Sequence, residues 1–216
     1  MNTYFRVLFI VLIVSLLNLS FSVQMGYHAS FPEIKIGAQT WMTQDLNVDK
    51  FSNGDAIPQA KWDEEWKKAA EERTPAWCYL ENNGAKQGKL YNWFAVNDPR
   101  GLAPAGWRIP SIADLETLTH VLEEEGFPGK AMKSNEGWIE EGNGTNESGF
   151  DAFPHGSREA SGSFSGFGEF GYWWLSNEDK GRVTAWLFTL DYGSPSLSLT
   201  TSDKAYGFSV RCVKAQ

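Results

Sequence analysis

Cysteine, histidine and positive charge are all scarce in this 216-residue chain. Two cysteines allow a single disulfide connectivity, and no paired CxxC or other zinc-ligand spacing occurs. His28, His120 and His155 are scattered and form no HExxH motif. Nineteen Lys and Arg stand against 27 Asp and Glu, a formal net charge of −8. Displacing counterions from phosphates needs the opposite sign, so nucleic-acid binding is excluded. No GxxxxGKS/T loop is present to cradle phosphates. The nearest approach to a nucleophile elbow, Gly207-Phe208-Ser209-Val210-Arg211, lacks the closing glycine and falls in a strand-like stretch. Carboxylates are plentiful, but no spacing sets two of them across a cleft as glycoside hydrolysis requires. Ten tryptophans and fourteen phenylalanines supply enough area for a core, which excludes a disordered chain.

The N-terminus reads as an address. Arg6 precedes an apolar run from Val7 to Val14 that resumes at Leu16 and Leu17. It is shorter than the roughly 20 residues of a membrane span and matches the core of a secretory signal. Ser20 and Ser22 supply the small side chains of a cleavage site after residue 22, and residues 23–33 form a short tether. An uncleaved anchor is the alternative; no Cys lies here to carry a lipid. The expected product is secreted or held at the cell surface, acidic, and without a transmembrane span once the signal is cut. In an oxidising compartment Cys78 and Cys212 are expected to pair, worth about 4–5 kcal/mol by chain entropy. Free thiols serving a redox or metal site are the competing reading.

Along the rest of the chain, Ile34, Ile36 and Trp41-Met42 flank Gly37 as a strand with a turn or bulge. Lys61–Arg73 has a helical pattern with Trp62, Trp66, Ala69 and Ala70 on one side, stopped by Pro75. A strand at 77–80 and a turn at Asn82-Asn83-Gly84 follow. A second helix opens at Pro110-Ser111, with Ser111 and Asp114 as a capping pair, a stripe of Ile112, Leu115, Leu118 and Leu122, and Gly126 at its end. His120 lies off that stripe, as a solvated residue. Residues 140–149 read as a loop, and Val183–Leu190, Leu197–Thr200 and Phe208–Val213 as strands. Two helices early and strands late, with no βαβ alternation, predict an α+β domain with an antiparallel sheet.

The loop oxygens of Glu140, Glu141, Asn143, Asn146, Glu147 and Asp151 are of the type calcium takes, though not at EF-hand spacing; a solvated acidic loop is the default, and no cofactor is assigned. Asn143 and Asn146 begin glycosylation sequons. Tryptophan recurs beside Gly or Asn, at Asn92-Trp93, Gly106-Trp107, Gly137-Trp138 and Gly171-Tyr172-Trp173-Trp174. Such residues either lock loops onto a sheet or stack on sugar rings; for any one Trp, burial is the default. Adjacent strand residues point to opposite faces, so one of Trp173 and Trp174 is expected to reach outward, and Trp186 sits out of register with its apolar neighbours. The candidate ligand contacts are Trp174, Trp186 and Arg158.

Ile36-Gly37-x-Gln39-x-Trp41-Met42, Asp45-Leu46-Asn47-Val48, Gly88-Lys89-Leu90-Tyr91-Asn92-Trp93, Leu102-Ala103-Pro104-Ala105-Gly106-Trp107-Arg108-Ile109-Pro110-Ser111 and Gly207-Phe208-Ser209-Val210-Arg211-Cys212-Val213 occur in this order. The pattern resembles the Fibrobacter succinogenes major paralogous domain, here over residues 34–214. The resemblance implies a C-type-lectin-like α+β fold with two helices, a small twisted antiparallel sheet, neighbouring terminal strands and long irregular loops presented to solvent. Ala103 stands where many members carry Cys, so Cys78 would replace that position as the partner of Cys212. The Glu-Pro-Asn, Gln-Pro-Asp and Trp-Asn-Asp tripeptides of calcium-dependent sugar-binding lectins are missing. The expectation is a non-catalytic exported module that recognises a polysaccharide or another extracellular macromolecule. A structural domain that binds a cell-surface protein is the alternative, then a hydrolase or a formylglycine-generating-like oxidase.

Overall fold

The computed structural model describes residues 31–80, 88–124 and 126–215. The expected signal, most of the tether and the turn at 82–84 lie outside the described residues. The chain folds mostly as β-structure, in three antiparallel sheets of four, five and three strands. The first sheet runs β1 (Glu33–Ile36), β2 (Gln39–Met42), β12 (Val213–Lys214) and β5 (Trp107–Arg108). The second runs β3 (Trp77–Tyr79), β4 (Lys89–Asn92), β11 (Gly207–Phe208), β6 (Ser157–Arg158) and β7 (Phe164–Ser165). The third is β10 (Ser198–Asp203), β9 (Thr184–Asp191) and β8 (Phe170–Glu178). Helices are few: α1 (Asp63–Glu72), α2 (Trp93–Val96), α3 (Ile112–Glu123) and α4 (Pro128–Met132).

This corrects the expected two-helix, C-type-lectin-like α+β fold with one small sheet; the arrangement is closer to a β-sandwich. Many strands are two to four residues long, too short to leave a period-2 pattern, so stretches that read as loop are strand. The stretch Phe208–Val213, expected as one strand, is divided: β11 belongs to the five-stranded sheet and β12 to the four-stranded one.

The two long helices follow local rules. In α1, Glu65 Oε2 accepts the N–H groups of Lys61 (2.7 Å) and Trp62 (3.1 Å), and Arg73 ends the helix at φ 54°. In α3, Ser111 Oγ accepts the Asp114 N–H, while Asp114 Oδ2 accepts the Ser111 N–H at 2.7 Å. Leu115, Leu118 and Leu122 are buried along one face of α3.

β8 organises the core. Trp173 and Trp174 point to opposite faces, as the pleat requires, yet both are fully buried because packed layers lie on both sides. Trp173 joins Trp41, Phe150, Phe188 and the α3 leucines; Trp174 joins Met42, Tyr91, Phe208 and Val210. A third cluster sets Trp66 of α1 against Cys78, Leu80 and Leu90. Gly207 makes this closure work: a Cβ there would lie 2.7 Å from the Trp66 ring and 3.2 Å from the Arg158 Cβ.

Cys78 and Cys212 are both buried free thiols, so the expected Cys78–Cys212 bridge is not formed in the structure. Cys78 packs in the third cluster beside α1, whereas Cys212 packs with Met42 and Trp174 in the first. Burial pushes the Cys78 thiol up to about 11 and the Cys212 thiol up to about 12.

Candidate functional site

The densest polar cluster is a buried clamp around Asp45. The carboxylate accepts from Arg211 Nε (2.8 Å) and Trp173 Nε1 (2.8 Å) at Oδ1, and His155 Nδ1 lies 3.0 Å from Oδ2. Arg211 also donates to the carbonyls of Phe150, Met42 and Asp151, and its guanidinium lies 4.5 Å from the Phe150 ring centroid. His155 stacks on Phe153 with 12° between the ring planes. Burial pushes the Asp45 carboxyl up, but Arg211, His155 and Trp173 together outweigh it and hold the group well below the usual carboxylate range. Asp45 follows β2, His155 precedes β6, Trp173 is in β8 and Arg211 precedes β12. One ion pair therefore ties four distant segments together. An Asp–His pair is also the orientation element of acid–base catalysis. Here the same carboxylate is shared with Arg211 and Trp173 inside the core, which makes it a fold clamp.

The sites expected from sequence do not converge. Trp174 is wholly buried and donates its indole N–H to the Tyr91 carbonyl at 2.9 Å, so it offers no face to a ligand. Arg158 is equally buried. It donates to the carbonyls of Gly162 and Ala60 and to Asp63, with its guanidinium about 5 Å from the ring centroids of Trp66 and Phe164. Trp186 is half-buried against the second core cluster. The one tryptophan with an open face is Trp62, 68% exposed, which the helical pattern had assigned to the apolar side of α1. It is the N-cap residue, ahead of the turn that packs. In the 140–151 loop, Asn143 Oδ1 accepts from Trp138 N–H, and Asn146 exchanges hydrogen bonds with Asp151. Among the described residues no group of three or more His, Cys, Asp or Glu is placed to hold a metal ion.

What sequence reading missed is an open cleft of about 580 Å³, within the roughly 300–1,000 Å³ typical of small-ligand sites. Five separate segments build it: the last turns of α1 with Arg73, Phe94 of α2, residues 160–161 after β6, residues 182–183 before β9, and residues 203–205 at the end of β10. Its cations are Lys67, Arg73, Arg182 and Lys204, against the carboxylates Glu71 and Asp203. Lys204 is committed, with Nζ 2.5 Å from Glu178 Oε1 and 3.0 Å from the Arg182 carbonyl, and it sits over the Trp93 ring. Arg182 Nε lies 3.6 Å from Asp179. Among the described residues Lys67 and Arg73 have no ion-pair partner and no side-chain hydrogen bond. Val183, 60% exposed, contributes an open apolar surface. No short motif joins these residues, so no sequence signal would have found them.

The molecule is thus a mostly-β domain with a recess assembled from loops and element ends. The Fibrobacter succinogenes major domain matches residues 34–214, and the chain belongs to that family. No curated protein and no solved structure matches it.

Proposed function

We propose that this protein is a non-catalytic binding module acting outside the cell on a polysaccharide. The observation that carries the reading is the 580 Å³ cleft, lined by five segments of chain and left open by the core packing. The clamp around Asp45 joins Trp173 and Arg211 in the core, and none of its residues lines the recess. An N-terminal apolar run with small residues at its end supports an exported location.

The test is affinity electrophoresis of the purified protein through gels holding single polysaccharides, with Ala70→Trp as the cleft-filling variant. Ala70 lines the recess and is half-buried on α1. Retardation by at least one polymer, lost in Ala70→Trp with an unchanged circular dichroism spectrum, is the expected result. Retardation that Ala70→Trp leaves intact refutes the cleft as the site. Capture of a cell-surface protein in its place, with no polymer bound, refutes the polysaccharide reading.

A further inference from the structure

We infer that the cleft takes a carboxylate-bearing saccharide, its carboxylate held by Lys67 and Arg73 and its hydroxyls by Glu71 and Asp203; this rests on the binding-module reading above. Lys204 and Arg182 already face Glu178 and Asp179, so among the described residues the cations of the recess with no carboxylate within 4 Å are Lys67 and Arg73. Both side chains are exposed and donate to nothing among the described residues. An oxyanion satisfies both with charge-assisted hydrogen bonds, the stronger kind.

The carboxylates narrow the ligand further. Among the described residues Glu71 has no ion-pair partner, and Asp203 spends Oδ1 on the Ala205 N–H at 2.8 Å while Oδ2 has no partner. A polysulfate with most of its hydroxyls esterified would meet both as like charges. A ligand whose rings carry free hydroxyl donors beside a single carboxylate uses both, since an ionised carboxyl only accepts. Val183 and Phe94 add apolar surface for the C–H face of a ring. The protein as a whole, at −8, repels polyanions. Charges more than about 8 Å apart are largely screened at physiological salt, so attraction has to come from cations at the recess itself.

The experiment measures binding of the purified protein to polygalacturonate, its fully methyl-esterified form, dextran sulfate and neutral dextran. Lys67→Gln, Arg73→Gln and Glu71→Gln are the variants, and Lys35→Gln, an exposed lysine in β1, is the control. Polygalacturonate should bind, and each of Lys67→Gln and Arg73→Gln should weaken it by about tenfold or more. Esterification, which keeps the backbone and removes the charge, should weaken it at least as much, and Lys35→Gln should change nothing. Preference for dextran sulfate, or equal binding of the ester, overturns the carboxylate assignment. Binding of neutral dextran that is lost in Ala70→Trp but kept in Lys67→Gln and Arg73→Gln overturns this inference and leaves the binding module standing. Failure of every polymer overturns both.

Discussion

Replacing Asp45 with Asn removes the charge at the centre of the clamp with almost no change in shape. Arg211, only 2% exposed, then keeps its carbonyl partners at Phe150, Met42 and Asp151 but loses its counter-charge. Removing one member of a buried ion pair costs about 3–5 kcal/mol, and the surviving carbonyl contacts put the expected loss near the lower figure, about 3 kcal/mol. For a domain of this size that lowers the melting midpoint by about 6–12 °C. Because the folded Asp45 carboxyl is held below its unfolded value, its contribution is complete above the ordinary Asp range near 3.9 and is withdrawn as pH falls below it. The gap between wild type and Asp45→Asn should therefore be full at pH 6. Below about pH 3.9 it should narrow by about 1.4 kcal/mol per pH unit. Urea unfolding followed by tryptophan fluorescence at several pH values reads both quantities. The double variant Asp45→Asn with Arg211→Met should lose less than the two single losses added together. A cost under about 1 kcal/mol, a gap independent of pH, or strict additivity would each refute the clamp.

Both cysteines should resist alkylation in the native protein at pH 8 and react fully on unfolding without reductant, because burial raises both thiols to about 11 and about 12; a native mass that rises on reduction would show a bridge instead. Gly207→Ala should destabilise by about 1–3 kcal/mol, since its Cβ would meet the Trp66 ring at 2.7 Å; unchanged thermal stability would show that the α1 packing yields. Ser111→Ala should cost about 0.5–2 kcal/mol through the lost cap of α3, read by the same urea unfolding.

Where local chemistry decides structure, the sequence was informative. The capping pair Ser111 and Asp114, the leucine stripe of α3 and the Gly37 turn between β1 and β2 each involve residues within a few positions of one another, and each is present. The sheet plan was not legible for the opposite reason. β12 pairs with β2 and β5, and β11 with β4 and β6, contacts made by strands of two residues whose partners lie far away in the chain. The expected disulfide failed in the same way: an even count and a compartment name a pair, but side-chain direction decides whether the pair can meet. Asp45 and Arg211 stand in the motifs that carry the family resemblance, but nothing in the sequence joins them, because the Asp45 partners at 155, 173 and 211 are fixed only by the tertiary fold.

The tryptophans teach a narrower lesson about where binding chemistry sits. Seven of the ten are buried, at positions 41, 66, 77, 93, 138, 173 and 174, and the indole N–H groups of Trp77, Trp138, Trp173 and Trp174 are spent on internal acceptors. They supply what the many two- to four-residue strands cannot, each burying enough area to hold short segments in place. A recognition surface then has to be made from what the core leaves unmatched, and around the cleft that is charge. Lys204 and Arg182 lie within 4 Å of Glu178 and Asp179 at its rim, while Lys67, Arg73 and Glu71 have no such partner among the described residues. Unmatched surface charge contributes little to stability, so the stability of the fold does not account for its placement. Substituting those three residues should accordingly leave the melting midpoint unchanged while altering binding, the reverse of what substitution of Asp45 or Trp174 should do.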